Sequence, residues 1–385
     1  MTENGASPGA GRCRESGALV NRRNLLKTIP AAAAVSVIGP RAIGVSAQET
    51  LKVAFVYVGP IGDMGWTYAH DQGRLDLATA FPNVETSYAE NIPENPADAE
   101  RVIRDFAQKG NKVIFTTSFG YMDPTIKVAA DFPDTVFVHI SGYKSAENVG
   151  NAFGKIEEPR YVSGQIAATM APSGKLGYVA AFPIPEVIRG INAFTLGVRK
   201  VNPAATVKVV WTSTWFDPTK ERQAAEALLS DGAEVLAQHQ DTAGPSQAAE
   251  AEGKFSVGYS SDQASAAPEA VITCPIWHWG VFYAATIQAV LDGTWATSSY
   301  WGGWKDGLVD LSPIADFVPA EVKTAAETEI ASFKAGEQTI STIFTGPLKD
   351  QTGAEKVQAG TAMTDEELLG MSWFVEGVDG EIPSS

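Results

Sequence analysis

An apolar, β-branched run followed by a loop and then a helical stretch recurs along this chain, and part-way through the whole series starts again. Residues 51–58 read LKVAFVYV. No polar residue alternates through the run, so the strand it predicts is buried on both faces. A helix is expected from about Tyr68 to Ala80. VETSYA (84–89), VIFTTS (113–118) and TVFVHI (135–140) repeat the strand signal, with helices over 96–109 and 124–131, and VGNAF (149–153) closes the first series. KLGYVAAF (175–182) restarts it. VKVVWT (207–212), EVLAQH (234–239) and KFSVGY (254–259) follow, with helices over 186–201, 218–231 and 245–252. Alternation with short connections implies parallel sheets covered by helices on both faces. The fold class is therefore α/β, with two doubly wound parallel-sheet lobes. Further helices are expected over 281–293 and 320–335, and 340–377 reads as a hairpin-rich extension.

No Ser/Gly linker separates the halves, so short crossings near 154–158 and 270–276 are expected to join them as a hinge. The N-terminal lobe is drawn over 49–155 plus 276–296. The C-terminal lobe is drawn over 156–275 plus 297–385, including the extension. Residues 1–47 stand apart. Arg22-Arg23 precede an Ala-rich apolar run over 28–40, and Val45-Ser46-Ala47 forms a small-residue cleavage pattern. This is the layout of a twin-arginine signal peptide. The apolar run is too short to span a bilayer, which needs about 20 residues. With no cysteine at the cleavage site, the expectation is a periplasmic protein without a lipid anchor.

The leader carries six Arg/Lys against two Glu, so the remaining 338 residues hold a net charge of −20, against −16 for the whole chain. Such an acidic chain repels phosphate backbones and anionic lipid surfaces, which argues against nucleic-acid partners. Of two cysteines, Cys13 lies in the leader, so Cys274 has no partner for an internal disulfide.

Two parallel-sheet lobes facing each other bind ligands at the carboxyl ends of their strands, in the cleft between them. The loop GPIGDMGWTY (59–68) spaces Gly59, Gly62 and Gly65 like a dinucleotide loop, but Asp63 would repel a pyrophosphate. Trp66 and Tyr68 suit a flat ligand instead; Trp66 has the alternative of starting a helix in the core. Ser118 and Phe119 end the third strand. Trp215 and Phe216 sit at a strand-to-helix turn, where stacking can hold a planar ring, while Asp217 reads equally as a helix cap. Asp241 and Asp262 end later strands as ligand acceptors or as caps. His239 reads as a core histidine. Of Trp277 and Trp279, one is expected to face the cleft and the other to pack between lobes. No nucleophile elbow, Walker loop, HExxH or CxxC is present, and the four histidines have no metal-ligand spacing. The expectation is a binding protein without catalytic residues, cofactor or metal.

The order of GDMGW (62–66), FPIPEVIRGINAFTLGVRKVNP (182–203), STWFDPTKE (213–221), SDQ (261–263) and GMSWFVEGVDGEIP (370–383) resembles the basic membrane protein family of ABC-transporter solute-binding proteins, which includes purine-nucleoside receptors. The resemblance implies the type I periplasmic binding fold with three crossings. It also implies a purine held between one aromatic from each lobe, here Trp66 and Trp215, with Asp63 near the base edge. A permease in the inner membrane is the implied partner, and a monomer is expected. Two positions depart from the nucleoside-receptor pattern: Ser260 stands where an Asp is usual and Trp277 where a Lys is usual. Both usual residues serve ribose hydroxyls, so their replacement favours a free base such as adenine over a nucleoside.

Overall fold

Strands that are apolar on both faces must be covered on both sides, and that requirement builds the architecture. The computed structural model describes residues 50–383; the expected leader lies outside them. The first series runs β1 (Leu51–Val56), α1 (Trp66–Ala80), β2 (Val84–Ala89), α2 (Pro96–Gln108), β3 (Val113–Thr116), α3 (Met122–Ala129), β4 (Val136–Ile140) and β5 (Val149–Gly154). After α4 (Glu157–Thr169) come β6 (Lys175–Ala180), α5 (Pro185–Val201), β7 (Thr206–Trp211), α6 (Pro218–Ser230), β8 (Val235–His239), α7 (Gly244–Ala251), β9 (Phe255–Val257) and β10 (Val271–Thr273). The chain then passes through β11 (Pro275–Trp277), α8 (Trp279–Leu291), β12 (Ser299–Gly302), β13 (Val309–Leu311) and α9 (Ala320–Ala335). It ends in α10 (Ile340–Ile343), β14 (Leu348–Lys349), β15 (Glu355–Val357), α11 (Asp365–Leu369) and β16 (Val378–Asp379).

Two six-stranded sheets result, ordered β12-β5-β4-β3-β1-β2 and β10-β9-β8-β6-β7-β16. Every pairing within them is parallel. The fully buried β3, β4 and β8 are the central strands that their unbroken apolar runs require. Strand order reverses between β1 and β3 in the first sheet and between β6 and β8 in the second. The loops leaving those strands open into a crevice at each switch point. No helix among the described residues is long and apolar enough to cross a membrane.

Three features differ from the sequence reading. Helix α4 was not anticipated: Glu157, Glu158 and Arg160 are all buried in it, so it shows no polar face to reveal its period. Strand β12 pairs with β5 and completes the first sheet, so the lobe boundary expected at 297 moves beyond Gly302. The extension contains one two-stranded hairpin, β14–β15, with the short helices α10 and α11; just beyond it β16 joins the second sheet. The lobes are joined by crossings after β5, between β10 and α8, and after β12, with β11 and β13 pairing antiparallel beside them.

Helices α4 and α5 pack backbone to backbone. A Cβ on Gly164 would meet the Phe194 carbonyl, and one on Gly197 would meet the Tyr161 carbonyl. Neither obstacle is a side chain that can rotate away. Gly197→Ala is therefore expected to destabilise the fold by about 1–3 kcal/mol through overpacking. Gly62→Ala, where a Cβ meets nothing within 4 Å, should fall within about 0.5 kcal/mol of wild type. Urea melts of the two variants check this; equal midpoints would contradict the close packing.

Candidate ligand-binding site

Loops leaving both switch points converge on a small cavity between the lobes. The first lobe contributes Val58 and Trp66 after β1, Ser118 and Phe119 after β3, and Ser141 after β4. The second contributes Glu186 after β6, Trp215 after β7, His239 and Asp241 at and after the end of β8, and Tyr259 after β9. Of the residues expected from sequence, the structure brings together Trp66, Ser118, Phe119, Trp215 and Asp241.

The two tryptophans are held differently. Trp66 opens α1, and its Nε1 donates to the Thr117 carbonyl at 2.6 Å. Its ring meets His70, Trp277 and Trp279 edge-on, with centroids 4.3, 5.6 and 5.6 Å away. An aromatic stack therefore backs this wall of the cavity. Trp215 stands on the opposite lobe, in edge contact with Phe182 at 5.0 Å, and its Nε1 donates to Glu94 Oε2 at 2.9 Å across the cleft.

The polar floor offers donors and acceptors side by side. Arg160 donates through Nη1 to the Gln238 carbonyl, and its Nη2 lies 3.3 Å from His239 Nδ1. A guanidinium has only donors, so Nδ1 must accept and the imidazole proton sits on Nε2. Burial, reinforced by the Arg160 and Arg189 charges, holds His239 well below the usual histidine range, so the ring is neutral. Tyr259 adds a hydroxyl without a partner, and its ring lies 4.1 Å from the Arg160 guanidinium. The acceptors are Asp241 and Glu186. Burial lifts Asp241 well above the usual carboxylate range, helped by the nearby charges of Asp63, Glu221 and Glu94. Burial pushes Glu186 up to about 7, against the opposing bond donated by Ser141 Oγ from the other lobe at 2.5 Å.

The other expected residues lie elsewhere. Asp63 accepts from the backbone N–H of Gly65, Thr67 and Tyr68 at 2.7, 3.2 and 3.0 Å. Its lone pairs serve the first turn of α1, where free N–H groups attract a carboxylate, and not a ligand edge. Tyr68 lies on α1 and is not among the residues that line the cavity. Asp262 is exposed and accepts from Ala264 N–H at 3.0 Å, the turn-capping alternative. Phe216 is turned toward solvent. Trp277 and Trp279 are both buried and stack on each other at 5.1 Å behind Trp66, so neither faces the cavity. Asp217 caps α6. The sequence reading missed Val58, Ser141, Glu186 and Tyr259, and placed His239 in the core. Four follow strands and His239 ends one, so the rule that selected Ser118 reaches them once strand ends are included. Among the described residues, no cluster of His, Cys, Asp and Glu could hold a metal ion.

Residues 50–351 match the model of the Bmp family, the PnrA-like ABC transporter substrate-binding proteins. The chain belongs to that family. It is 47% identical over 338 residues to a purine-binding protein of Brucella abortus, covering 88% of this chain and 95% of that one. It is 42% identical over 345 residues to a protein of Haloferax volcanii named as an ABC transporter glucose-binding protein, covering 89% and 83%. Among solved structures, an ABC transporter solute-binding protein of Aeropyrum pernix superposes with a TM-score of 0.66 at 20% identity, over 83% of this chain and 97% of that one. Another from Conexibacter woesei gives 0.61 at 22%, over 75% and 98%. These likenesses identify the fold as the type I periplasmic binding fold.

The Glu186 shift has a consequence for this substrate-binding protein. Between the ordinary carboxyl value of 4.5 and about 7, Glu186 is protonated when folded and ionised when unfolded. The folded state then binds more protons, so stability falls as pH rises through that window and stays low above it. Glu186→Gln cannot ionise and should lack this fall. Melting temperatures of the two proteins should therefore shift in favour of the variant between pH 4.5 and 7.5. Parallel pH profiles would contradict the assignment.

Proposed function

We propose that this ABC transporter substrate-binding protein carries a purine, with a free base such as adenine preferred, clamped between Trp66 and Trp215. The observation that carries the reading is that one tryptophan from each lobe lines the same small cavity. The floor beneath them pairs the His239 Nε2–H and Tyr259 hydroxyl donors with the Asp241 and Glu186 carboxyls. A purine edge alternates ring nitrogens that accept with N–H groups that donate, and this floor is its complement. The name of the Brucella relative supports the purine class. Preference for the base is supported at Trp277. That position, where a Lys would serve a ribose, is filled by an indole packed against Phe153 and Trp279, and Ser260 Oγ is buried without a partner. The Haloferax relative makes glucose the competing solute, since a sugar can also lie on an indole face. In this reading the protein is exported by the twin-arginine route, matures near Gln48, works as a periplasmic monomer and delivers its ligand to an inner-membrane permease.

Calorimetry on the purified protein tests the ligand. Adenine should bind more tightly than adenosine, and glucose should not compete. Trp215→Ala should weaken adenine binding by at least about 2 kcal/mol, roughly 30-fold, because both stacking and buried contact are lost. Trp215→Phe keeps a ring and should cost less than about tenfold. Adenosine binding tenfold tighter than adenine would refute the base preference. Glucose binding with no purine binding would replace the purine reading altogether.

Export has its own test. Replacing Arg22 and Arg23 by Lys should stop periplasmic accumulation, as judged by cell fractionation; undiminished accumulation of the double variant would exclude the twin-arginine route.

A further inference from the structure

We infer that Glu94, a residue of the first lobe that lies outside the ligand cavity, is a latch that holds Trp215 of the second lobe in place and so favours the closed state. Its two oxygens divide the work between lobes. Oε1 accepts from Ser118 Oγ at 2.5 Å and from Gly120 N–H at 2.8 Å, both in the loop after β3. Gly120 is required for this approach: a Cβ there would lie 2.7 Å from Glu94 Cβ and 2.9 Å from its carboxyl carbon. The carboxylate is thus fixed within its own lobe before it meets the other. Oε2 then accepts from Trp215 Nε1 at 2.9 Å.

Trp215 needs such a partner. Its supports within its own lobe are an edge contact with Phe182 at 5.0 Å and a tilted one with His239 at 6.1 Å. Neither fixes the rotation of the indole about its own plane, whereas a directed N–H bond to a carboxylate does. Other bonds cross the cleft, from Ser141 Oγ to Glu186 and from Ser261 Oγ to the Met64 carbonyl. The Glu94 bond differs in that its acceptor is fixed within its own lobe outside the cavity lining, while the side chain it grips is one of the two tryptophans that line it. A bond present only when the lobes meet shifts the open–closed equilibrium by its own strength. Glu94 is therefore a positioning residue, acting on the solute through Trp215. The inference rests on the two-lobed substrate-binding reading and not on which solute is bound.

Glu94→Gln is the test. An amide that keeps its oxygen toward Ser118 and Gly120 turns its NH2 toward the indole N–H, so two donors face each other. Spin labels at Asp123→Cys and Thr219→Cys, in a Cys13→Ser background, report the interlobe distance by double electron–electron resonance; Cys274 is buried. In the ligand-free protein, E94Q should lower the closed-to-open ratio about tenfold. In a W215F background, where there is no N–H to grip, the same change should leave the ratio within about twofold. With adenine as probe, E94Q should raise the off-rate about tenfold and leave the on-rate within about twofold. Equal closed fractions in wild type and E94Q, or a tenfold fall that persists in the W215F background, would overturn the latch. If wild type does not bind adenine, the purine proposal falls, and the ligand-free ratios still decide the latch.

Discussion

The two lobes meet where Gly65 lies against the backbone of Asp241. A Cβ on Gly65 would overlap the Asp241 main chain, so only glycine allows the loop after β1 to reach the loop after β8. The neighbours of this contact hold it in place. Asp63 ties the loop to the start of α1 through three backbone N–H groups. Ser261 Oγ of the second lobe donates to the Met64 carbonyl at 2.5 Å. Once Gly65 is set there, the next residue, Trp66, must line the same space as Asp241. The cavity is a consequence of that approach as much as of the residues that fill it.

The walls of the cavity differ in stiffness. Behind Trp66 stand His70, Trp277, Trp279 and Phe153, an aromatic layer that continues through Tyr283 to Phe55 and Phe115. Moving Trp66 would disturb packed rings deep in the first lobe. Trp215 sits on a loop, between a helix that Asp217 caps and the cleft. Its most directional bond, to Glu94, exists only when the lobes touch. One wall is thus part of a core, and the other is completed by closure.

How much of this was legible in the sequence follows from where each residue's partners lie. The β/α alternation was readable because parallel strands buried on both faces leave continuous apolar runs, as in β3 and β4. Helix α4 was hidden because its charged residues are buried: Glu157 pairs with Arg189 at 2.6 Å, and Arg160 reaches His239. A polar residue that is buried against a distant partner looks, in sequence, like a surface residue. The reverse error affected the carboxylates. Asp63 was placed near a base edge by the family resemblance and Asp262 was left between ligand acceptor and cap, and each is engaged by backbone N–H groups within five residues. Trp277 and Trp279 illustrate a third limit. They frame a strand-to-helix junction that resembles the one at Trp215, and only the tertiary stack behind Trp66 separates core indole from cavity indole.

The acidic balance of the chain bears on what the cavity can hold. Asp241 and Glu186 line it, and Glu94 and Asp63 lie close enough to raise the cost of ionising Asp241. Nearby positive charge comes from Arg160, bound to His239 and a carbonyl, and from Arg189, paired with Glu157. An anionic solute would have to shed its hydration beside these carboxyls, and Arg160 already donates to the Gln238 carbonyl and His239. A cation would need both carboxyls ionised, which burial opposes in each. A neutral solute avoids both costs. When protonated, Asp241 supplies one donor beside its acceptor oxygen and His239 supplies Nε2–H, so the floor can meet an uncharged edge of mixed donors and acceptors without burying net charge. The proposed uncharged heterocycle meets that floor without adding charge to it.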